Sequence, residues 1–139
     1  MIRLEHINLV VSDIEKVLSF YRAAFPHWRV RGKGTAKWYG KDRQWVHFGD
    51  DENYLTLNDD GEGHNRNLEG HQVGLAHFAF VINDLDAMNE RLALAGFNIA
   101  KQGAQDPYRK NVYYLDPAGF EVEFVQYFSD LPHQRNLYA

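Results

Sequence analysis

From Leu4 to Val11 apolar and polar positions alternate: Ile7, Leu9 and Val11 fall on one side, and His6, Asn8 and Val10 on the other. This is the period of a half-buried strand ending at Ser12-Asp13. Ile14, Val17, Leu18, Tyr21 and Phe25 then recur at helical spacing up to Pro26, and Ser12 with Glu15 reads as a capping box at the helix start. Between Trp28 and Asn58, short aromatic and β-branched runs are broken at Gly32, Gly34, Gly40 and Gly49, which predicts three consecutive antiparallel strands. The order is β-α-β-β-β.

The same order returns. Leu75 to Ile82 reads as a strand, Asn83 and Asp84 as the cap of a helix through Leu85, Met88, Leu92 and Ala95, and Gly96 as its stop, with three further strand candidates behind it. Setting His6 to Asp13 above His77 to Asp84 aligns His with His and Asp with Asp at one offset of 71 residues, so the chain carries an internal repeat. The expected fold class is α+β: two βαβββ repeats forming a curved mixed sheet with a central cavity. A single domain is expected over residues 1–139, with the first repeat at about 3–58, a polar and mobile linker at 59–74, the second repeat at about 75–127 and a tail at 128–139.

Composition narrows the function. A chain of 139 residues that is 45% hydrophobic holds a real core. The net charge of −4, with scattered basic residues, leaves no footprint for a phosphate backbone, so nucleic acid is not an expected partner. With no Cys there is neither a disulfide nor a thiolate, and any site must use His, carboxylates or hydroxyls. No stretch approaches the roughly 20 apolar residues of a membrane span, and no leader pattern opens the chain, so a cytoplasmic protein with no membrane partner is expected.

The candidate chemistry follows from the repeat. His6 and His77 occupy matched positions on the first strand of each half, on the side away from the helix. If the halves pair about a pseudo-twofold axis, both imidazoles reach a shared concave face, where Glu123 is a candidate third ligand because Glu121 and Glu123 alternate with Phe120, Val122 and Phe124. A lone strand histidine is ordinarily a hydrogen-bonded structural group; a matched pair beside an in-facing carboxylate reads as a ligand set. His47, opposite Val46 and Phe48, is a candidate substrate-contacting base. Asn8 and Thr56 are smaller in-facing polar groups, and Trp38, Trp45, Tyr54 and Tyr113 are expected wall residues. His27, His64, His71 and His133 lie in turns, linker or tail, where solvent exposure is expected.

These residues, with the run Asp116-Pro117-Ala118-Gly119-Phe120-Glu121-Val122-Glu123-Phe124, resemble the vicinal oxygen chelate superfamily of glyoxalases, bleomycin-resistance proteins, ring-cleaving dioxygenases and fosfomycin-resistance proteins. The resemblance covers nearly the whole chain. It implies His6, His77 and Glu123 as ligands of one divalent metal ion per site, of the class Fe, Mn, Zn, Ni or Co, with Glu123 and Tyr113 in catalysis. Asn8, His47, Tyr54, Thr56 and Tyr113 would contact a small-molecule substrate that chelates through two adjacent oxygens. Two departures shape the expectation. A fourth ligand known from glyoxalase I aligns with Thr56, and Glu52, at the constant offset from Glu123, stands in a turn-like Asp-Asp-Glu-Asn setting. The run Val112 to Gly119 resembles the extradiol signature, yet Gln102 to Asn111 holds no histidine where that signature has one. Likeness to fosfomycin thiol transferases extends to size and to Tyr113, with Arg109, Lys110 and Arg135 as candidate anion contacts and exposed, solvated cations as the simpler account of them. A metal-free drug-binding module is the alternative, disfavoured by finding His, His and Glu together. The resemblance also implies a homodimer, whose twofold interface would bury the aromatic and apolar groups of Tyr127 to Pro132.

Overall fold

The computed structural model describes residues 1–138. The chain forms two compact units, Met1–His64 and Asn65–Ala139, whose boundary falls inside the polar segment between the repeats. The first unit runs β1 (His6–Val10), α1 (Ile14–Ala24), β2 (Arg29–Trp38), β3 (Lys41–Gly49) and β4 (Tyr54–Asn58). The second runs β5 (Phe78–Val81), α2 (Leu85–Leu94), β6 (Lys101–Gln102), β7 (Arg109–Leu115) and β8 (Glu121–Tyr127), followed by a short α3 (Pro132–Arg135). Each unit holds one mixed four-stranded sheet, ordered β1-β4-β3-β2 and β5-β8-β7-β6. The first strand pairs parallel with the last, and the other neighbours are antiparallel. Both expected βαβββ repeats are therefore present.

Two local expectations change. The cap of α1 is Asp13, whose carboxylate accepts from Lys16 N at 3.2 Å, and not Ser12. A carboxylate at this position both fills the orphan donor and meets the positive end of the helix dipole, which a hydroxyl one residue earlier does not. Asp84 caps α2 in the same way through Ala87 N. The strand expected over Leu75 to Ile82 is shorter: its ladder with β8 begins at Phe78 opposite Val122, which leaves His77 one residue before the strand. In the second part of the inter-repeat segment, Arg66 donates to the carbonyls of Asn67, Gly70 and Gln72, and Asn65 Nδ2 donates to Gly119 O at 3.0 Å.

Alternation decides what each sheet buries. On β4, Leu55 and Leu57 are fully covered along with Val46 and Phe48 of β3, and α1 buries Val17, Leu18, Phe20 and Tyr21. Contacts from Tyr21 to Phe25, Phe25 to Trp28 and Trp28 to Phe48 join the helix end to the sheet. In the second unit Val122 and Phe124 of β8 and Val112 and Tyr114 of β7 are buried, as are Leu85, Met88 and Leu92 of α2. Tyr114 satisfies its hydroxyl on Asn89 Oδ1 at 2.7 Å. The opposite face of each sheet carries the polar side chains. Among the described residues no helix is long and apolar enough to cross a membrane.

The turn into β8 is set by Asp116. Its buried carboxylate accepts from Ala118 N at 2.8 Å and Phe120 N at 3.0 Å, while Gly119 N donates to the Asp116 carbonyl at 2.9 Å. Gly119 adopts φ 85°, a conformation a side chain would strain. Asp, Pro and Gly at the first, second and fourth positions are the residues such a turn favours.

Leu57 is 0% exposed and Val10 is 38% exposed, so the two report on core and surface respectively. Leu57→Ala is expected to lower the unfolding free energy by about 2–5 kcal/mol, and Val10→Ala by much less. Urea denaturation of the two variants measures the difference, and equal costs would contradict the assignment of faces.

Candidate metal and substrate site

The parallel ladder of the second unit sets Ala79 opposite Glu123, and the antiparallel one sets Tyr113 opposite Glu123. With Val122 and Phe124 committed to the core, Glu121 and Glu123 turn to the other face, where His77 stands between them. Its Nε2 lies 3.3 Å from Glu123 Oε1 and its Nδ1 lies 3.6 Å from Glu121 Oε2. Glu123 is held from behind by Asn111, whose Nδ2 donates to Oε2 at 2.8 Å. Glu121 is paired with Lys101 Nζ at 3.0 Å. That ammonium also lies 4.4 Å over the Tyr113 ring, which meets His77 edge-on at 5.4 Å. Burial, and then the charge of Glu123, push the Tyr113 phenol above its ordinary pKa, so it keeps its proton at neutral pH. Lys101 is raised chiefly by its hydrogen bond to Glu121 and stays an ammonium.

The first unit builds its equivalent face from the same register with different chemistry. Asn8 pairs with Thr56 as Ala79 pairs with Glu123, and His47 pairs with Thr56 as Tyr113 pairs with Glu123. Thr56 thus stands where the second repeat has Glu123, as the sequence alignment expected. His47 stands where the second repeat has Tyr113, and Tyr54 where it has Glu121. Instead of carboxylates there is a column of rings: Trp45, His47, Tyr54 and His6 follow one another with centroids 4.8, 4.7 and 4.7 Å apart. The Arg31 guanidinium lies 4.3 Å from the Tyr54 centroid. His6 Nδ1 is 2.9 Å from Glu5 Oε1, which also accepts from the Tyr54 hydroxyl at 3.3 Å. That contact with His6 is the main reason the Glu5 carboxyl is lowered. Asn8 Oδ1 accepts from Asn58 Nδ2.

Of the residues expected at the site, the second unit brings together His77, Glu123 and Tyr113, and the first brings together His6, His47 and Tyr54, with Thr56 in register beside His47. Among the described residues no group of three or more His, Asp or Glu is arranged as a metal set. Glu52 is in the turn as expected, where its N donates to Asp50 Oδ1 and its carboxylate pairs with Arg3. His27, His64, His71 and His133 are all exposed. The three cations expected near an anion are engaged locally: Lys110 with Asp86, Arg109 with Asp106, and Arg135 over Tyr127. Asn111, Lys101 and Arg31 were not singled out from sequence. Strand alternation gives Asn111 away, since it lies two residues before Tyr113 on one face of β7.

The sequence matches the family described as the Glyoxalase/Bleomycin resistance protein/Dioxygenase superfamily over residues 3–124. It is 28% identical over 131 residues to a lactoylglutathione lyase of Neisseria meningitidis, covering 89% of this chain and 90% of that one. The fold is similar to that of a glyoxylase/bleomycin resistance protein/dioxygenase domain from Frankia, with TM-score 0.74, 20% identity, and 97% and 98% of the two chains covered. It is also similar to the E126Q mutant of the fosfomycin resistance protein FosX from Listeria monocytogenes, solved with Mn(II) and 1S,2S-dihydroxypropylphosphonic acid. There the TM-score is 0.67 at 19% identity, with 97% and 98% covered.

Burial first, and then the positive charge of Arg31, lower the His47 pKa from its ordinary 6.5. An NMR titration is expected to place the His47 midpoint below 6.5, and Arg31→Gln to move it upward. Because the unfolded chain then binds more protons than the folded one, the His47 contribution to stability rises with pH through this window and is lost as pH falls below it. A midpoint unchanged by Arg31→Gln would contradict the placement of the guanidinium.

Proposed function

The chain belongs to the Glyoxalase/Bleomycin resistance protein/Dioxygenase superfamily, and from that premise we propose that it is a metal-dependent enzyme acting on a small substrate with two adjacent oxygens. His6, His77 and Glu123 are the proposed ligands of one divalent cation. The observation that carries this reading is the 3.3 Å approach of His77 Nε2 to Glu123 Oε1. An imidazole nitrogen and a carboxylate oxygen that converge on one point are a donor set suited to Mn, Fe, Co, Ni or Zn. The Mn(II) complex of the similar fosfomycin resistance protein supports the same class of ion. Three protein ligands leave coordination positions open, and a bound cation would supply Lewis-acid polarisation of the substrate oxygens there.

The chain's own residues supply the rest. Tyr113, kept protonated by burial and by the charge of Glu123, is the proposed hydrogen-bond or proton donor to a substrate oxygen. His47, Tyr54, Thr56 and Asn8 of the first repeat are the proposed substrate contacts, with the lowered pKa of His47 leaving it neutral and able to accept a proton. The absence of a histidine from Gln102 to Asn111 favours addition of a nucleophile to the chelated substrate over ring cleavage. The protein is proposed to act as a homodimer, a state that would cover the exposed Phe128, Leu131 and Tyr138 near the end of the chain.

Titration of the purified chain with Mn(II) is expected to show one ion per chain and to raise stability by about 2.7 kcal/mol at a free concentration 100 times Kd. His6→Ala, His77→Ala and Glu123→Gln are each expected to abolish that gain while remaining folded. Undiminished binding in all three variants would overturn the ligand assignment. Light scattering is expected to give about twice 16.2 kDa, and a mass of 16.2 kDa with and without metal would remove the dimer.

A further inference from the structure

We infer that Gly103 and Asn111 form a positioning relay that fixes which oxygen of Glu123 faces the metal; the inference rests on the metal-binding reading above. Asn111 is 8% exposed and lies on β7 opposite Val125 of β8. Its Nδ2 donates to Glu123 Oε2 at 2.8 Å, which leaves Oε1 as the oxygen directed at His77 Nε2. The terminal torsion of a glutamate is broad, so an unrestrained carboxylate presents either oxygen or both. A hydrogen bond to one of them selects a single orientation, as partners behind metal-bound carboxylates do.

The other end of the amide meets Gly103. Asn111 Oδ1 is buried and has no hydrogen-bond donor among the described residues. A Cβ at position 103 would fall 1.8 Å from that oxygen, 2.2 Å from Cγ and 2.6 Å from Nδ2. The whole amide therefore fills the volume that any side chain at 103 would need. The backbone keeps the pair in place, since Gly103 N donates to Asn111 O at 2.9 Å just beyond β6. Substrate and metal touch neither residue in this account. Gly103 acts by leaving room for Asn111, and Asn111 acts by holding Glu123.

A buried carbonyl without a donor costs stability, which separates this role from a structural one. A group kept for the fold lowers the melting temperature when removed; a group kept for the site at the expense of the fold does not. The experiment measures Mn(II) affinity by electron paramagnetic resonance, and thermal melting without metal, for the full chain, N111A, G103A and the double variant. Both single variants are expected to bind Mn(II) about 10–100-fold more weakly. The double variant is expected to be no weaker than the worse single, because both changes break one chain of contacts, and N111A is expected to melt no lower than the parent. If G103A does not fold, N111A decides alone. Parent-like affinity in N111A, a lower melting temperature with affinity intact, or additive losses in the double variant would overturn the relay and leave the metal site standing. Failure of the parent chain to bind Mn(II) would overturn the metal-binding reading itself, and the relay with it.

Discussion

The parallel pairing of β5 with β8 is the constraint from which the chemistry of the second unit follows. It places Ala79 against Glu123 and Phe78 against Val122, so the residues of β8 divide into Val122 and Phe124 toward the core and Glu121 and Glu123 toward the opposite face. A slip of one residue would exchange the two sets and put both carboxylates among Leu85, Met88 and Leu92. Burying two unpaired carboxylates costs several kcal/mol each, so the hydrophobic pattern that builds the sheet also fixes the direction of the acids. The Asp116 turn starts the strand in that register, and Asn65, donating to Gly119 O, ties the inter-repeat segment to it.

The same register on two repeats yields two different surfaces. Where the second repeat has Glu121, Glu123 and Tyr113, the first has Tyr54, Thr56 and His47. The second is a cluster of charges, with His77 between two carboxylates and Lys101 compensating one of them. The first is a stack of rings under the Arg31 guanidinium, with one carboxylate, Glu5, at its edge. The two repeats share one register, and the residues at three matched positions give them different surfaces: carboxylates and a phenol in the second, and a hydroxyl, an imidazole and a phenol in the first.

Much of this was legible in the chain. The alternation through Ile7, Leu9 and Val11, and the recurrence of His, helix and Asp in the second half, set the element order and the repeat. Strand parity placed Glu123 and His47 on the faces where they are found. Other features depended on geometry the pattern does not encode. Both Ser12 and Asp13 are good caps, and only the backbone path decides that the carboxylate of Asp13 reaches Lys16 N. A constant offset of 71 points from Glu123 to Glu52, but the ladder shows Thr56 in that place. The hairpin of the first repeat is longer than its counterpart, so the offset that holds for His6 and His77 fails beyond it. Strand alternation puts Asn111 on the Tyr113 face of β7, but no motif marks it out from other polar residues there. Its importance comes from a hydrogen bond to Glu123 across the strands and from a glycine eight positions earlier in the chain.

The central claim is that one divalent cation is held by the nitrogen of His77 and the nearer oxygen of Glu123. Anomalous scattering from crystals grown with Mn(II) tests it most directly. The account predicts one strong peak per chain within coordination distance of His77 Nε2 and Glu123 Oε1. A peak elsewhere, or none at His77 and Glu123 in crystals that contain the metal, would contradict it.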